Sequence, residues 1–111
     1  YMSYFENSHG FIEYTLENIK HRIRTGEVLY LESNRKKTIL HTRKGSFSVY
    51  GKVSDIIGIH KNKFVCISRG IYVNIQYIVE ATAREVYLTD GVRLSVSRGC
   101  QDAVRDRLSE I

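Results

Sequence analysis

The chain of 111 residues contains no proline and no tryptophan, and it has only two cysteines, Cys66 and Cys100. Without proline there is no proline-rich linker, and this length predicts a single domain. Two cysteines do not make a disulfide framework and suit the reducing cytoplasm, although one bridge between them stays open. No apolar run approaches the length of a transmembrane helix, and the N-terminus has no signal-peptide pattern. We therefore expect a cytoplasmic protein without a membrane partner.

Motifs for catalysis or metal binding are also missing. The four histidines are far apart in the sequence and have no second ligand at a helical spacing: His9, His21, His41 and His60. The cysteines form no CxxC motif and have no local histidine, and neither a GxGxxG motif nor a P-loop occurs. The sequence therefore predicts no enzyme activity, no cofactor and no metal site.

Positive charge, in contrast, is concentrated in one part of the chain, and the formal net charge is +5. Eight basic residues lie between positions 20 and 44: Lys20, Arg22, Arg24, Arg35, Lys36, Lys37, Arg43 and Lys44. Only Glu27 and Glu32 oppose them. A run of this kind is either a solvated basic face or a phosphate-binding surface, and both interpretations remain open at this point.

Hydrophobic periodicity favours short strands over most of the chain. The predicted strands cover residues 11–16, 18–24, 27–33, 38–42, 47–51, 64–70, 71–74, 77–84, 85–89 and 92–97. Asp90-Gly91 is a two-residue hairpin signal. One short helix is predicted over 54–60, with Ser54 as its N-cap, and a terminal helix over 101–111. Residues 1–10 are interpreted as a tail or the remnant of a linker, and 11–111 as the domain.

Four segments in order resemble a known family: 27-EVLYLES-33, 47-FSVYGKVSDI-56, 64-FVCISRGIYVN-74 with 77-YIVE-80, and 88-LTDGVRLSVSR-98. The chain is similar to the LytTR-type DNA-binding domain, usually the output domain of bacterial response regulators in two-component systems. The resemblance implies an elongated, mainly β fold of stacked small antiparallel sheets. It also implies sequence-specific binding of double-stranded promoter repeats through loops that enter successive major grooves, and hence transcription regulation. An upstream receiver domain and a dimer on DNA are the partners it implies.

The resemblance also indicates which residues contact DNA. Where the family often has His-Arg-Ser, this chain has Ser68-Arg69-Gly70, and Cys66 stands at the preceding arginine position. We expect 68–70 to form a turn that lifts Arg69 toward DNA, where Ser68 donates to a phosphate. The alternative is that Arg69 is an exposed strand residue or pairs with a nearby glutamate.

Two more segments complete the predicted interface. The loop after the first motif contributes Asn34, Arg35, Lys36 and Lys37, and the sequence does not choose between the two lysines. The last motif ends in Ser97 and Arg98, although Arg98 could instead bridge to Asp102 or Glu110. Asn74 is predicted to bond backbone groups in a turn rather than to contact a base.

Two other functions remain open on the sequence alone. The eight tyrosines and four phenylalanines could form stacking platforms for RNA or a single strand. A protein-interaction or small-ligand module with incidental positive charge is the other alternative.

Overall fold

The computed structural model describes residues 10–109, and within this range the chain forms ten strands and two α-helices. The strands are β1 (Phe11–Leu16), β2 (Ile19–Arg24), β3 (Val28–Asn34), β4 (Lys37–Thr42), β5 (Gly45–Tyr50), β6 (Phe64–Ser68), β7 (Ile71–Asn74), β8 (Ile78–Ala81), β9 (Glu85–Leu88) and β10 (Arg93–Ser95). The helices are α1 (Val53–Ile57) and α2 (Gln101–Ser109). The predicted 1–10 tail lies outside the described residues, apart from Gly10.

The strands pair antiparallel in three sheets, in the orders β1-β2, β5-β4-β3-β7-β6 and β10-β9-β8. The molecule measures 43 × 32 × 23 Å along its principal axes, so it is elongated. The predicted fold, mainly β with small antiparallel sheets and two helices, is confirmed.

The five-stranded sheet has a hydrophobic core on each face, because successive side chains of a strand point to opposite sides. In β6, Phe64 belongs to one cluster and the next residue, Val65, belongs to the other. The first cluster joins the sheet to β1 and α1 through Ile12, Val28, Leu31, Leu40, Val49, Val53, Ile57 and Phe64. The second joins it to the three-stranded sheet and α2 through Val65, Ile67, Val73, Val86, Leu88, Val96 and Val104. The two cores therefore hold the five-stranded sheet in place, and with it the turns that connect its strands.

The internal helix begins one residue earlier than predicted. Its N-cap is Lys52, without a side-chain hydrogen bond to the helix, so the assignment of Ser54 as N-cap is wrong. Val53 and Ile57, four residues apart, are both buried, and their packing sets where the helix starts. The α-helix ends at Ile57; the next residue, Gly58, has φ +46° and begins a 3-10 helix over Gly58–Lys63.

Two strands are at least three residues shorter than predicted. The predicted strand 77–84 begins at Ile78 and ends at Ala81, because the Thr82 hydroxyl accepts hydrogen bonds from the amides of Arg84 and Glu85 and closes a turn. Tyr77 itself lies in a 3-10 turn, and its hydroxyl donates to the carbonyl of Gly26. The predicted strand 92–97 is a strand only over Arg93–Ser95.

Candidate nucleic-acid interface

Strand register brings two turns that are distant in sequence to the same edge of the five-stranded sheet. β3 and β7 run antiparallel, and Glu32 lies opposite Ile71 in the last pair of their ladder. Beyond that pair, the amide of Ser33 donates a hydrogen bond of 2.7 Å to the carbonyl oxygen of Gly70. The turns 34–37 and 68–70 are therefore neighbours.

Two further segments join the same edge. The amide of Gly51, just after β5, donates to the carbonyl of Lys36 at 3.0 Å. The amide of Ser97 donates to the carbonyl of Ile67, at the end of β6, at 2.8 Å. We call this surface the turn edge; it consists of residues 34–37, 50–51, 68–70 and 97–98. From β5 to β6 it crosses four inter-strand spacings, about 19 Å, which exceeds the ~12 Å width of one major groove.

The predicted contact residues all lie on the turn edge. Six of them are exposed (Asn34, Arg35, Lys36, Arg69, Ser97 and Arg98), and Lys37 and Ser68 are half-buried. Across residues 10–109, none of the five cations in this set forms an ion pair. The alternatives in which a described carboxylate neutralises Arg69 or Arg98 are thus not realised. Asp102 pairs with Arg105 at 3.2 Å instead, and Glu110 lies outside the described residues.

The turn that holds Arg69 depends on glycine at position 70. Gly70 has φ +85°, a conformation that side chains rarely adopt, and a Cβ there would lie 2.8 Å from the Cβ of Ser33. On the other side of the turn, the Cys66 thiol donates to the carbonyl of Ser68 at 3.2 Å. Arg69 therefore stands at the tip of a tight turn that is held from both ends.

Both cysteines are free thiols, so the bridge that the sequence left open is not formed. Burial raises the pKa of the Cys66 thiol, and the neighbouring Cys100 raises this pKa further. The two thiols lie next to each other behind the turn edge, one on β6 and the other on the segment that follows Arg98. Because its pKa is raised, Cys66 is an uncharged packing residue at neutral pH.

The basic run between positions 20 and 44 does not form one surface. Arg35, Lys36 and Lys37 lie at one end of β4, and Arg43 and Lys44 lie at the other end. A strand of six residues separates these ends by about 20 Å. In the β1-β2 hairpin, the guanidinium groups of Arg22 and Arg24 lie 4.1 and 5.6 Å from the ring centre of Phe11. Only the middle of the run reaches the turn edge.

Asn74 is a buried structural residue, as its sequence context predicts. It is 2 % exposed and lies at the end of β7 remote from the turn edge. Its side-chain amide donates to the carbonyls of Val28 (2.9 Å) and Thr25 (3.2 Å), and its side-chain oxygen accepts from the amide of Gln76.

Tyr50 is the residue of this surface that sequence reasoning missed. Its side chain is 73 % exposed, and the ammonium group of Lys37 lies 4.7 Å from its ring centre. The ring lines an open depression of about 630 Å³ together with residues 34–37. The register of the β4-β5 hairpin, with Tyr50 opposite Lys37, brings the two side chains together, and the predicted strands 38–42 and 47–51 do not give this register.

Comparison with known proteins identifies the family and the fold. The sequence model of the LytTR family, described as the LytTr DNA-binding domain, matches residues 6–109. The chain belongs to the LytTR family of DNA-binding domains. No curated protein sequence matches this LytTR domain. Among solved structures it is similar to the LytTr DNA-binding domain of a protein from Bacillus cereus described as a methyl-accepting/DNA response regulator.

That likeness has a TM-score of 0.72 at 19% sequence identity, and it covers 89% of this chain and 96% of the other. At this identity the likeness concerns the fold, so the three sheets and two helices of the LytTR domain have a solved counterpart.

Within the described residues, no helix is long and apolar enough to cross a membrane.

Proposed function

We propose that the LytTR domain binds specific sequences in double-stranded DNA through the turn edge and regulates transcription as the output domain of a bacterial response regulator. One observation carries this proposal. The hydrogen bond between Ser33 and Gly70 sets two cation-bearing turns side by side, on an edge where the cations have no acidic partner among the described residues.

The arginines are the candidates for base readout. Arg69 lies on a turn and Arg98 at the start of a short 3-10 helix, and both are exposed rather than flat on a strand, so their guanidinium groups can reach into a groove. The planar fork of arginine matches the O6 and N7 acceptors of guanine, and no other base pair presents the same pattern in the major groove. Ser68 and Ser97, next to them, are suited to donate to phosphates.

Loops, rather than a recognition helix, are proposed to enter the DNA. Both basic residues in the described part of α2 already have partners, since Arg105 contacts Asp102 and Asp106, and the half-buried Arg107 donates to the carbonyl of Asn62. Contacts in successive major grooves are proposed from the family resemblance; the turn edge, which is wider than one groove, places 34–37 toward one side and 97–98 toward the other.

The placement of the aromatic residues favours duplex DNA over a single strand. Phe64 and Tyr77 are buried, and Tyr14, Tyr72 and Phe47 pack against the cores. Among the described residues, Tyr50 is the one aromatic in the set of large exposed hydrophobic side chains. Successive stacking of several bases requires more than one such ring.

The proposal also includes the wider context that the family resemblance implies. It comprises an upstream receiver domain that controls binding, promoter repeats occupied by two copies as a dimer on DNA, and a location in the cytoplasm.

Selection from a pool of random duplexes tests the proposal, followed by titration of the selected site against a scrambled duplex at physiological salt. We expect a preference of about 10³-fold or more for the selected site. Equal, salt-sensitive affinity for both duplexes would overturn sequence specificity. Tighter binding to the isolated strand than to the duplex would overturn the choice of double-stranded DNA.

A further inference from the structure

The backbone next to Tyr50 is anchored, although most of the surface of this residue faces solvent. The next residue, Gly51, donates its amide hydrogen to Lys36 and accepts a hydrogen bond of 2.8 Å from the Thr38 hydroxyl. Gly51 has φ +123°, a backbone conformation typical of glycine, and lies against Ile56. The end of β5 is thus locked to the turn 34–37.

The pairing of Lys37 with this ring distinguishes it from Lys36. The ammonium group of Lys37 lies over the ring face at 4.7 Å, and the side chain is half-buried, whereas Lys36 is exposed. A cation over an aromatic face is attracted by the ring quadrupole and keeps N–H donors available on its outer side. Lys37 is therefore pre-positioned to donate to an incoming anion.

We propose that Tyr50 is a DNA-contacting residue that holds Lys37 in place, and that the two together bind one backbone phosphate of the duplex. This inference rests on the proposed function, because it assigns a contact within the turn edge. The Tyr50 hydroxyl and the Lys37 ammonium supply the donors, and the depression lined by residues 34–37 receives the phosphate. Lys36 and Arg35 stay unrestrained by the ring and reach toward the groove.

A phosphate carries no sequence information, so the pair strengthens binding without choosing the site. This separates Tyr50 and Lys37 from Arg69 and Arg98, for which a loss confined to the selected site is expected. It also explains why an aromatic residue is exposed at the end of an edge strand, beside three cations.

The test measures duplex affinity for Tyr50→Ala, Tyr50→Leu and Tyr50→Phe, each on the selected and the scrambled duplex. We expect Tyr50→Ala and Tyr50→Leu to lose about 3- to 5-fold on both duplexes, because the restraint on Lys37 is gone. Tyr50→Phe, which keeps the ring and lacks the hydroxyl, should lose less. Val79→Ala is the matched control, since Val79 is a large exposed residue on β8, away from the turn edge.

A second measurement isolates the pair. Lys37→Met should reduce the slope of the logarithm of the binding constant against the logarithm of salt concentration, by the amount expected for the loss of about one phosphate contact. In the Lys37→Met background, Tyr50→Ala should then cost less than it does in the wild type, which reports coupling between the two side chains. Full additivity of the two losses would overturn the joint role.

The outcomes separate this inference from the proposed function. If Arg69→Ala weakens binding to the selected site while all three Tyr50 variants bind like the wild type, the phosphate contact is wrong and the proposed function stands. If the wild-type domain binds no duplex even at low salt, the proposed function fails and the contact fails with it. Thermal unfolding of each variant confirms that it is folded.

Discussion

The amide of Ser33 and the carbonyl oxygen of Gly70 are joined by a hydrogen bond of 2.7 Å, and the space between the two residues has no room for a side chain at position 70. A Cβ at position 70 would lie 2.8 Å from the Cβ of Ser33, and the φ of +85° independently disfavours any side chain there. This contact fixes the spacing between the turns 34–37 and 68–70, and so the spacing of the cations they present.

Gly70→Ala is therefore expected to lower the free energy of unfolding by roughly 1–3 kcal/mol and to weaken binding to the selected duplex. Urea denaturation measures the first effect and a DNA titration the second. Gly99→Ala is the matched control for stability, because a Cβ at Gly99 meets no atom within 4 Å and its φ lies outside the positive region. If both alanine variants were equally stable, the close approach of Gly70 to Ser33 would make no contribution to the free energy of unfolding.

Asn74 offers a second test, in which stability and DNA binding separate. Asn74→Ala leaves the carbonyls of Thr25 and Val28 without their buried donor, and the expected loss is about 1–3 kcal/mol in the free energy of unfolding. Asn62→Ala is the control, because Asn62 is exposed and contributes only its backbone carbonyl to the contact with Arg107. Folded Asn74→Ala should keep its preference for the selected duplex. A change in that preference would mean that Asn74 acts in recognition.

The Cys66 thiol gives a prediction that depends on pH. Burial, followed by the proximity of Cys100, raises the pKa of this thiol, so its thiolate fraction at neutral pH is smaller than that of an ordinary cysteine. Iodoacetamide should therefore alkylate Cys66 more slowly in the folded protein than in urea. The folded state keeps this proton at pH values where the unfolded chain has lost it. The free energy of unfolding should accordingly fall as pH rises through that interval. Equal alkylation rates in both states would contradict the shift.

Features set by local chemistry could be predicted from the sequence. Asp90-Gly91 predicts a hairpin, and the structure has one there: Gly91 has φ +89°, and the amide of Val92 donates to the Asp90 carboxylate. The break at 68–70 between two strands was equally visible, because a serine, an arginine and a glycine interrupt an apolar run. In both places the residues that determine the turn lie within the turn.

Features set by contacts between distant residues could not be predicted in the same way. The start of α1 depends on the packing of Val53 and Ile57 rather than on the capping preference of Ser54. The basic run is divided because β4 lies within it. Lys36 precedes this strand and Arg43 follows it, so the two residues lie at opposite ends of β4. The pairing of Tyr50 with Lys37 depends on strand register, and periodicity alone leaves register undetermined.

Arg69 gives the most direct test of base readout. A control that removes the same charge, Lys44→Ala, is available at the opposite edge of the sheet. Arg69→Ala should lose roughly 1–3 kcal/mol of binding free energy on the selected duplex and much less on a scrambled one. Lys44→Ala removes the same charge from the turn between β4 and β5, where it lies 3.9 Å from Glu27. Because that turn faces away from the turn edge, Lys44→Ala should leave the preference between the two duplexes unchanged. Titration of both variants on both duplexes separates the effect of position from the effect of net charge. Equal losses on the selected and scrambled duplexes for Arg69→Ala would show that Arg69 contacts phosphate and not a base.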